Sequence, residues 1–348
     1  MVTAFAQVQK ESESANSVIP PLLSIVVPVY NGSKKIEFTL QKLKSQIEKL
    51  DLVIAKLELQ EANHPDSFVY SGRKFIDEAS AAILLDEYLS RNTNHIPSGI
   101  KLGEDSQSFF ASHSRQYYEH DSDRNASASH WYEIIVVNDG SKDDTRNVIN
   151  RISSCDEAIR LISYSTNMGK GYAIKQGVLR SRGKYVIFMD GDGEISSEVL
   201  SKYLEQMDSA DIVIASKYHP QSIVRVPASR KFFSKCFHLF VKVMLGIKAS
   251  DTQVGLKAGN GETFRKIFQR VMVKRYAFDA EMLAVAGILG ARVVELPVKI
   301  ELDKSFKKKE IVKMALDVLG VAYRLRVIKW YHKNMEKQRP SYRALMFA

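Results

Sequence analysis

The chain has 348 residues, 45% hydrophobic and 26% charged, which is enough length and apolar content for a full core and excludes a wholly disordered protein. Lys plus Arg number 50 against 40 Asp plus Glu, and the resulting charge of +10 favours an anionic partner such as a phosphorylated substrate, an acidic membrane surface or nucleic acid. The two cysteines, Cys155 and Cys236, have apolar neighbours and no metal-type spacing, so they read as reduced core residues in a cytosolic setting.

Residues 1–20 form a polar tail without the sustained apolar core of a signal peptide. Leu22 to Val27 read as a buried strand, closed by Pro28-Val29-Tyr30-Asn31-Gly32 and followed by a helical pattern through Ile36, Leu40 and Leu43. In an α/β sheet that turn falls at the carboxyl edge, where ligands bind. Tyr30 is open between stacking on a base and packing on its own helix. From about 48 to 129 the composition shifts to Asn, Ser, His and Asp around one amphipathic stretch, Phe75 to Leu89. So long a segment between strands reads as a partly helical, partly mobile insertion.

Glu133 to Val137 read as a second buried strand, leading into Asn138-Asp139-Gly140-Ser141 and a helix over about 143–153. Asp139 either accepts hydrogen bonds from a base or ribose or caps that helix. A third strand spans Ile159 to Ser163. Asn167-Met168-Gly169-Lys170-Gly171 then opens a helix, so that amides, dipole and a lysine face one spot, as suits a diphosphate. The fourth strand, Tyr185 to Met189, runs directly into Asp190-Gly191-Asp192-Gly193-Glu194. Carboxylates two residues apart in a Gly-rich turn can reach one hard divalent cation that substrate phosphates complete; a solvated turn is the plain alternative. Asp211 to Ala215 read as a fifth strand. Repeated strand–helix units with polar residues at one edge describe a doubly wound α/β nucleotide-binding sheet. The dinucleotide fingerprint and the Walker A loop are both missing, which disfavours an NAD enzyme.

In the second half, Phe232, Phe233, Phe237, Leu239, Phe240, Val243 and Met244 make a helix apolar on most of its circumference, either core or membrane contact. Ile311 to Ile328 carries Lys313, Asp317, Arg324 and Arg326, too many charges to cross a bilayer. Its apolar residues at helical spacing and its basic ends suit either an interfacial helix on anionic lipid or a surface helix docked on the sheet.

Taken together and in order, the Pro28–Asn31, Val137–Ser141, Asn167–Gly171 and Met189–Gly193 motifs resemble the family 2 glycosyltransferases of GT-A fold. Asp251-Thr252-Gln253-Val254-Gly255-Leu256-Lys257, Arg275 to Leu283 and Glu295 to Val298 are similar to the dolichyl-phosphate glucose and mannose synthases, with the glucosyl enzymes and archaeal relatives nearest. Asn138 stands where the family more often has Asp, and Lys217 where many relatives have Arg.

The resemblance implies a Rossmann-like, mostly parallel sheet flanked by helices, and an inverting transfer of one hexose, glucose favoured. The donor would be UDP-glucose, or alternatively GDP-mannose, and the acceptor dolichyl or polyprenyl phosphate, with Mg²⁺ or Mn²⁺. It implies Pro28, Tyr30, Asn31, Asp139, Lys170, Asp190 and Gly191 on the donor side, and Asp190, Asp192 and Glu194 at the metal. It implies Arg230, Ser234, Asp251, Gln253, Ser305 and Lys307 on the acceptor side with Asp279 and Glu281 near it, and Asp190 and Asp192 in catalysis; Asp279 reads either as a catalytic base or sugar contact or as an acid that starts its helix. The expected division is a donor half at 21–230, an acceptor-side half at 231–303, a basic interfacial helix at 304–335 and a tail at 336–348. Competing readings are transfer to a protein or glycan and a non-catalytic membrane-surface protein. Nucleic-acid binding is disfavoured because no recognisable module appears. The expected place is the cytosolic face of the ER or plasma membrane, held peripherally by surface helices or by a partner membrane protein.

Overall fold

The computed structural model describes residues 20–50, 131–190, 196–225, 227–251, 254–301 and 308–336. Most of the insertion, both tails, and the expected site residues Gly191, Asp192, Glu194, Gln253, Ser305 and Lys307 lie outside these.

Four of the apolar runs pair in parallel: β1 (Leu23–Val29), β2 (Tyr132–Asp139), β3 (Ile159–Tyr164) and β4 (Tyr185–Phe188). Between them lie α1 (Ile36–Ile47), α2 (Thr145–Cys155) and α3 (Lys170–Arg180). After β4 come α4 (Ser197–Glu205), β5 (Ile212–Ser216), β6 (Ile223–Arg225), α5 (Ala228–Leu245) and β7 (Lys257–Asn260). The chain continues through α6 (Gly261–Arg270), α7 (Phe278–Ile288), β8 (Val293–Pro297) and β9 (Lys299–Glu301). It ends in α8 (Lys308–Ala322), a π-helical turn (Tyr323–Val327) and α9 (Trp330–Glu336).

The seven-stranded sheet has the order β3-β2-β1-β4-β7-β5-β8, with β6 and β9 as a separate parallel pair. The mostly parallel sheet agrees with the expectation. The exception is β7, which runs antiparallel to β4 on one side and β5 on the other. The winding reverses between β1 and β4, so the crevice for a ligand opens there, at the carboxyl ends of the strands. Because β7 and β8 complete the sheet that β1 begins, the two expected halves share one sheet.

Strand side chains alternate between two apolar layers, as a period of two demands. Ile25, Val27, Ile134, Val136 and Ile187 face the layer formed with α1, α2 and α4; Val26, Ile135, Val137, Val186 and Phe188 face the layer formed with α3, α5, α6, α7 and α8. With both faces covered, the strands read as continuous apolar runs, which is why they were legible.

Two expectations are corrected. Cys155 and Cys236 are both exposed rather than core. Cys155 is the last residue of α2, and Cys236 follows exposed Lys235 on α5. The segment expected as one basic helix is broken by the π-helical turn and by Lys329 at φ 49°, which turns the chain into α9.

The amino edge, opposite the crevice, is held by one buried carboxylate. Glu133 accepts from Ser24 Oγ (2.7 Å), Arg182 N (2.7 Å) and Arg160 Nη1 (2.5 Å). Burial alone would raise its pKa, but these hydrogen bonds and the Arg160 charge outweigh it and hold the carboxyl below its ordinary 4.5. A lowered folded pKa contributes stability above the unfolded value that is lost as pH falls through the folded one. Glu133→Gln therefore destabilises at neutral pH and flattens the loss of stability below about 4.5, measured by urea unfolding across pH.

Candidate active site

The first two loops at the crevice are laced together. Asn31, at φ 51°, donates its amide to Ser141 Oγ (2.9 Å) and accepts from Lys142 N (2.9 Å) through Oδ1. Gly32 N donates to Thr145 Oγ1, and Ser33 donates from both N and Oγ to Asp143. Burial pushes the Asp143 carboxyl up, but the hydrogen bonds from Thr145 and Ser33 together outweigh it and hold its pKa down at about 2. Pro28 and Tyr30 stand on this rim, and Tyr30 is 48% exposed, outside the core.

Asp139 does not cap the helix that follows it, whose N-cap position is Asp144. Its carboxylate is buried and accepts from Met168 N (2.8 Å), Gly169 N (2.9 Å) and Tyr164 Oη (2.8 Å). It thereby fixes the turn that opens α3, while Thr145 starts α2 without it. Burial and the neighbouring Asp139 charge both raise the Tyr164 pKa, so its hydroxyl stays a donor. Asn138 binds Ser141 N and Ser163 Oγ, joining the ends of β2 and β3.

Lys170, the first residue of α3, reaches across to Asp190 just past β4, and Nζ pairs with Oδ1. Burial pulls the ammonium down, but Asp190 and Asp279 together outweigh it and raise its pKa above the ordinary value. The Asp190 side chain stays 39% exposed toward the crevice. Gly255 lies against it so closely that an added Cβ would fall inside the carboxylate. A half-open hard-oxygen donor at a strand end, beside a backbone that can come close, fits a hard divalent cation. Among the described residues no three His, Cys, Asp or Glu converge on a metal, and the rest of the acidic turn lies outside them.

Behind Lys170 lies a residue that sequence reasoning passed over. Lys257, the first residue of β7, is 1% exposed and pairs with Asp279 Oδ1 on α7 at 2.6 Å. It also donates to Val254 O at 2.6 Å and stands 5.6 Å from the Phe188 ring centroid. Burial pushes the Asp279 carboxyl up, opposed by Lys257 and Lys170. Glu281, two residues on, faces elsewhere: it accepts from Met272 N (2.8 Å), Val273 N (2.7 Å), Arg324 Nη2 (3.1 Å) and the Tyr331 hydroxyl. That knot ties α7 to the C-terminal segment.

A second cluster holds two of the expected acceptor-side residues, Asp251 and Ser234. Asp251 is buried, accepts from Lys217 N (2.8 Å) and has Lys217 Nζ at 3.6 Å. Ser234 on α5 faces the Tyr218 hydroxyl at 3.4 Å, and Arg230 lies one helical turn earlier on α5. His238, one turn later, lies 5.2 Å from the Tyr218 ring, and burial lowers its pKa. No sequence signal set His238 apart.

The fold and this edge define an α/β protein with a ligand crevice at the switch point of its sheet. Residues 126–268 match the family model described as Glycosyl transferase family 2. The chain is 37% identical over 208 residues to a dolichyl-phosphate beta-glucosyltransferase of Trichomonas vaginalis, covering 57% of this chain and 64% of that one. It is 31% identical over 222 residues to the dolichyl-phosphate beta-glucosyltransferase of Mus musculus, covering 59% of this chain and 68% of that one. The chain belongs to glycosyl transferase family 2. It spans 63%, 64% and 66% of the length of three of its relatives. Among solved structures it is distantly similar to glucosyl-3-phosphoglycerate synthase from Mycobacterium tuberculosis in complex with uridine diphosphate, at 13% identity and a TM-score of 0.45, covering 87% of this chain and 79% of that one.

Proposed function

We propose that this chain transfers one glucose from UDP-glucose to a dolichyl or polyprenyl phosphate, with inversion, at a membrane surface. The observation that carries the reading is the pairing of Lys170 at the start of α3 with half-open Asp190 at the end of β4, at the switch point of a family 2 sheet. The names of the relatives, dolichyl-phosphate beta-glucosyltransferases, support the choice of sugar and lipid.

In this reading the Pro28–Asn31 rim and Tyr30 receive the nucleoside, Lys170 meets the diphosphate, and Asp190, with Asp192 and Glu194, holds Mg²⁺ or Mn²⁺. A cation bound there neutralises the charge that develops on the leaving diphosphate. The acceptor phosphate is already anionic, so its oxygen attacks the anomeric carbon as the bond to the diphosphate breaks, and no base is needed. Alignment does most of the rest. Asp279, buried and paired with Lys257, acts behind Lys170. Ser234, Asp251, Arg230 and Gln253, with Ser305 and Lys307, form the acceptor side.

The lipid side is supported by α8. Met314, Val318 and Val321 face the core, while Val312, Leu316, Leu319, Tyr323 and Val327 form a second stripe, 46–66% exposed. Lys329 and Lys333 stand exposed just beyond it. Among the described residues no helix is long and apolar enough to cross a membrane. An apolar stripe with basic residues at its end suits the surface of anionic lipid. Leu316→Glu with Leu319→Glu lowers binding to phosphatidylserine-containing vesicles by about tenfold or more, with the melting temperature little changed; unchanged vesicle binding would remove this face from the reading.

A further inference from the structure

The strongest unused feature is the cation sealed in the core. A lysine with 1% exposure is costly to bury, and residues that persist against such a cost merit a functional reading. Lys257 belongs to an alternating chain of charges: its ammonium pairs with Asp279 at 2.6 Å, Asp279 acts on Lys170, and Lys170 pairs with Asp190. The same ammonium grips Val254 O at 2.6 Å, one residue before the glycine that lies against Asp190.

We infer that Lys257 is a positioning residue for the donor diphosphate: through Val254 it holds the Gly255 backbone against Asp190, the partner of Lys170, and by pairing with Asp279 it keeps a carboxylate charge near that pair. This rests on the glycosyltransferase reading. The physical point is that Lys170 has two carboxylate neighbours. Were Asp190 to take up a cation, the Asp279 charge would still favour Lys170 at the crevice over solvent. Asp279 can serve in this way only while a buried cation opposes its own burial, and Lys257 is that cation.

The test uses neutral replacements of similar shape, Lys257→Met with Asp279→Asn in one chain, which leave no unpaired buried charge. Calorimetry measures the binding of UDP and UMP with Mn²⁺ present, and melting temperature reports the fold. The expected result is a folded variant that binds UDP at least about tenfold more weakly, equivalent to about 1.4 kcal/mol, and UMP as the wild type does. UDP and UMP binding both unchanged, or both weakened alike, would overturn the inference and leave the pair a packing element. Should the double variant not fold, Asp279→Asn alone is titrated with the same two ligands. Weakened UDP binding with UMP binding intact then supports the inference, and any equal effect on the two ligands overturns it. A wild-type chain that binds no nucleoside diphosphate would instead remove the transferase reading on which this stands.

Discussion

Asp190→Ala leaves a folded protein that transfers sugar at least about 10²–10³-fold more slowly than wild type. The side chain is half-open and sits at the end of a strand, so its removal opens no core cavity. Lys170 keeps Asp279 as a carboxylate neighbour. What is lost is the described oxygen donor aimed into the crevice, and with it the neutralisation of the leaving diphosphate. Initial rates with UDP-glucose, set beside the melting temperature, separate the two effects. A variant with rates within about tenfold of wild type would move the chemistry away from the end of β4.

Lys257→Met has the largest expected effect on stability. It strands Asp279, which is 5% exposed, among the apolar side chains of α7 and β4. Breaking a buried pair by removing one partner costs about 3–5 kcal/mol. The carboxylate then takes up a proton or draws in water, and the Val254 carbonyl loses its donor as well. Adding Asp279→Asn to the same chain restores much of the loss, because neutral partners carry no Born penalty. Urea unfolding of the two single variants and the double gives the coupling directly. A single variant within about 1 kcal/mol of wild type would show that water already reaches the pair.

β1, β2 and β4 were legible because each is a largely apolar run closed by Gly, Asn or Asp, with both its faces covered. Pro28, Tyr30, Asp139, Lys170 and Asp190 were found at the carboxyl ends of strands or the start of a helix for the same reason. What Asp139 does was not legible. Its partners, Tyr164, Met168 and Gly169, come from the next strand and loop, and nothing in Asn-Asp-Gly-Ser distinguishes an acid that caps a helix from one that clamps a distant turn.

β7 was illegible for a different reason. Lys-Ala-Gly-Asn has none of the β-branched or aromatic residues that mark a strand. It is central because α6 packs on it: a Cβ on Gly259 would run into the Phe264 ring, so only a bare backbone fits there. Lys257 looks misplaced in a core until Asp279, on α7, is brought against it. The break after α8 also escaped periodicity. A π-helical turn keeps the apolar spacing nearly intact while shifting the face, and Arg324 and Tyr331 close it on Glu281.

Glucose transfer to a lipid phosphate is read out by incubating the purified chain with radiolabelled UDP-glucose or, separately, GDP-mannose, together with dolichyl phosphate in detergent and Mn²⁺. Label is expected in the organic phase from UDP-glucose, with little from GDP-mannose and none when dolichyl phosphate is omitted. Nucleotide binding without any label in the lipid phase from either donor would contradict it, and would direct the search to a different acceptor for the same crevice.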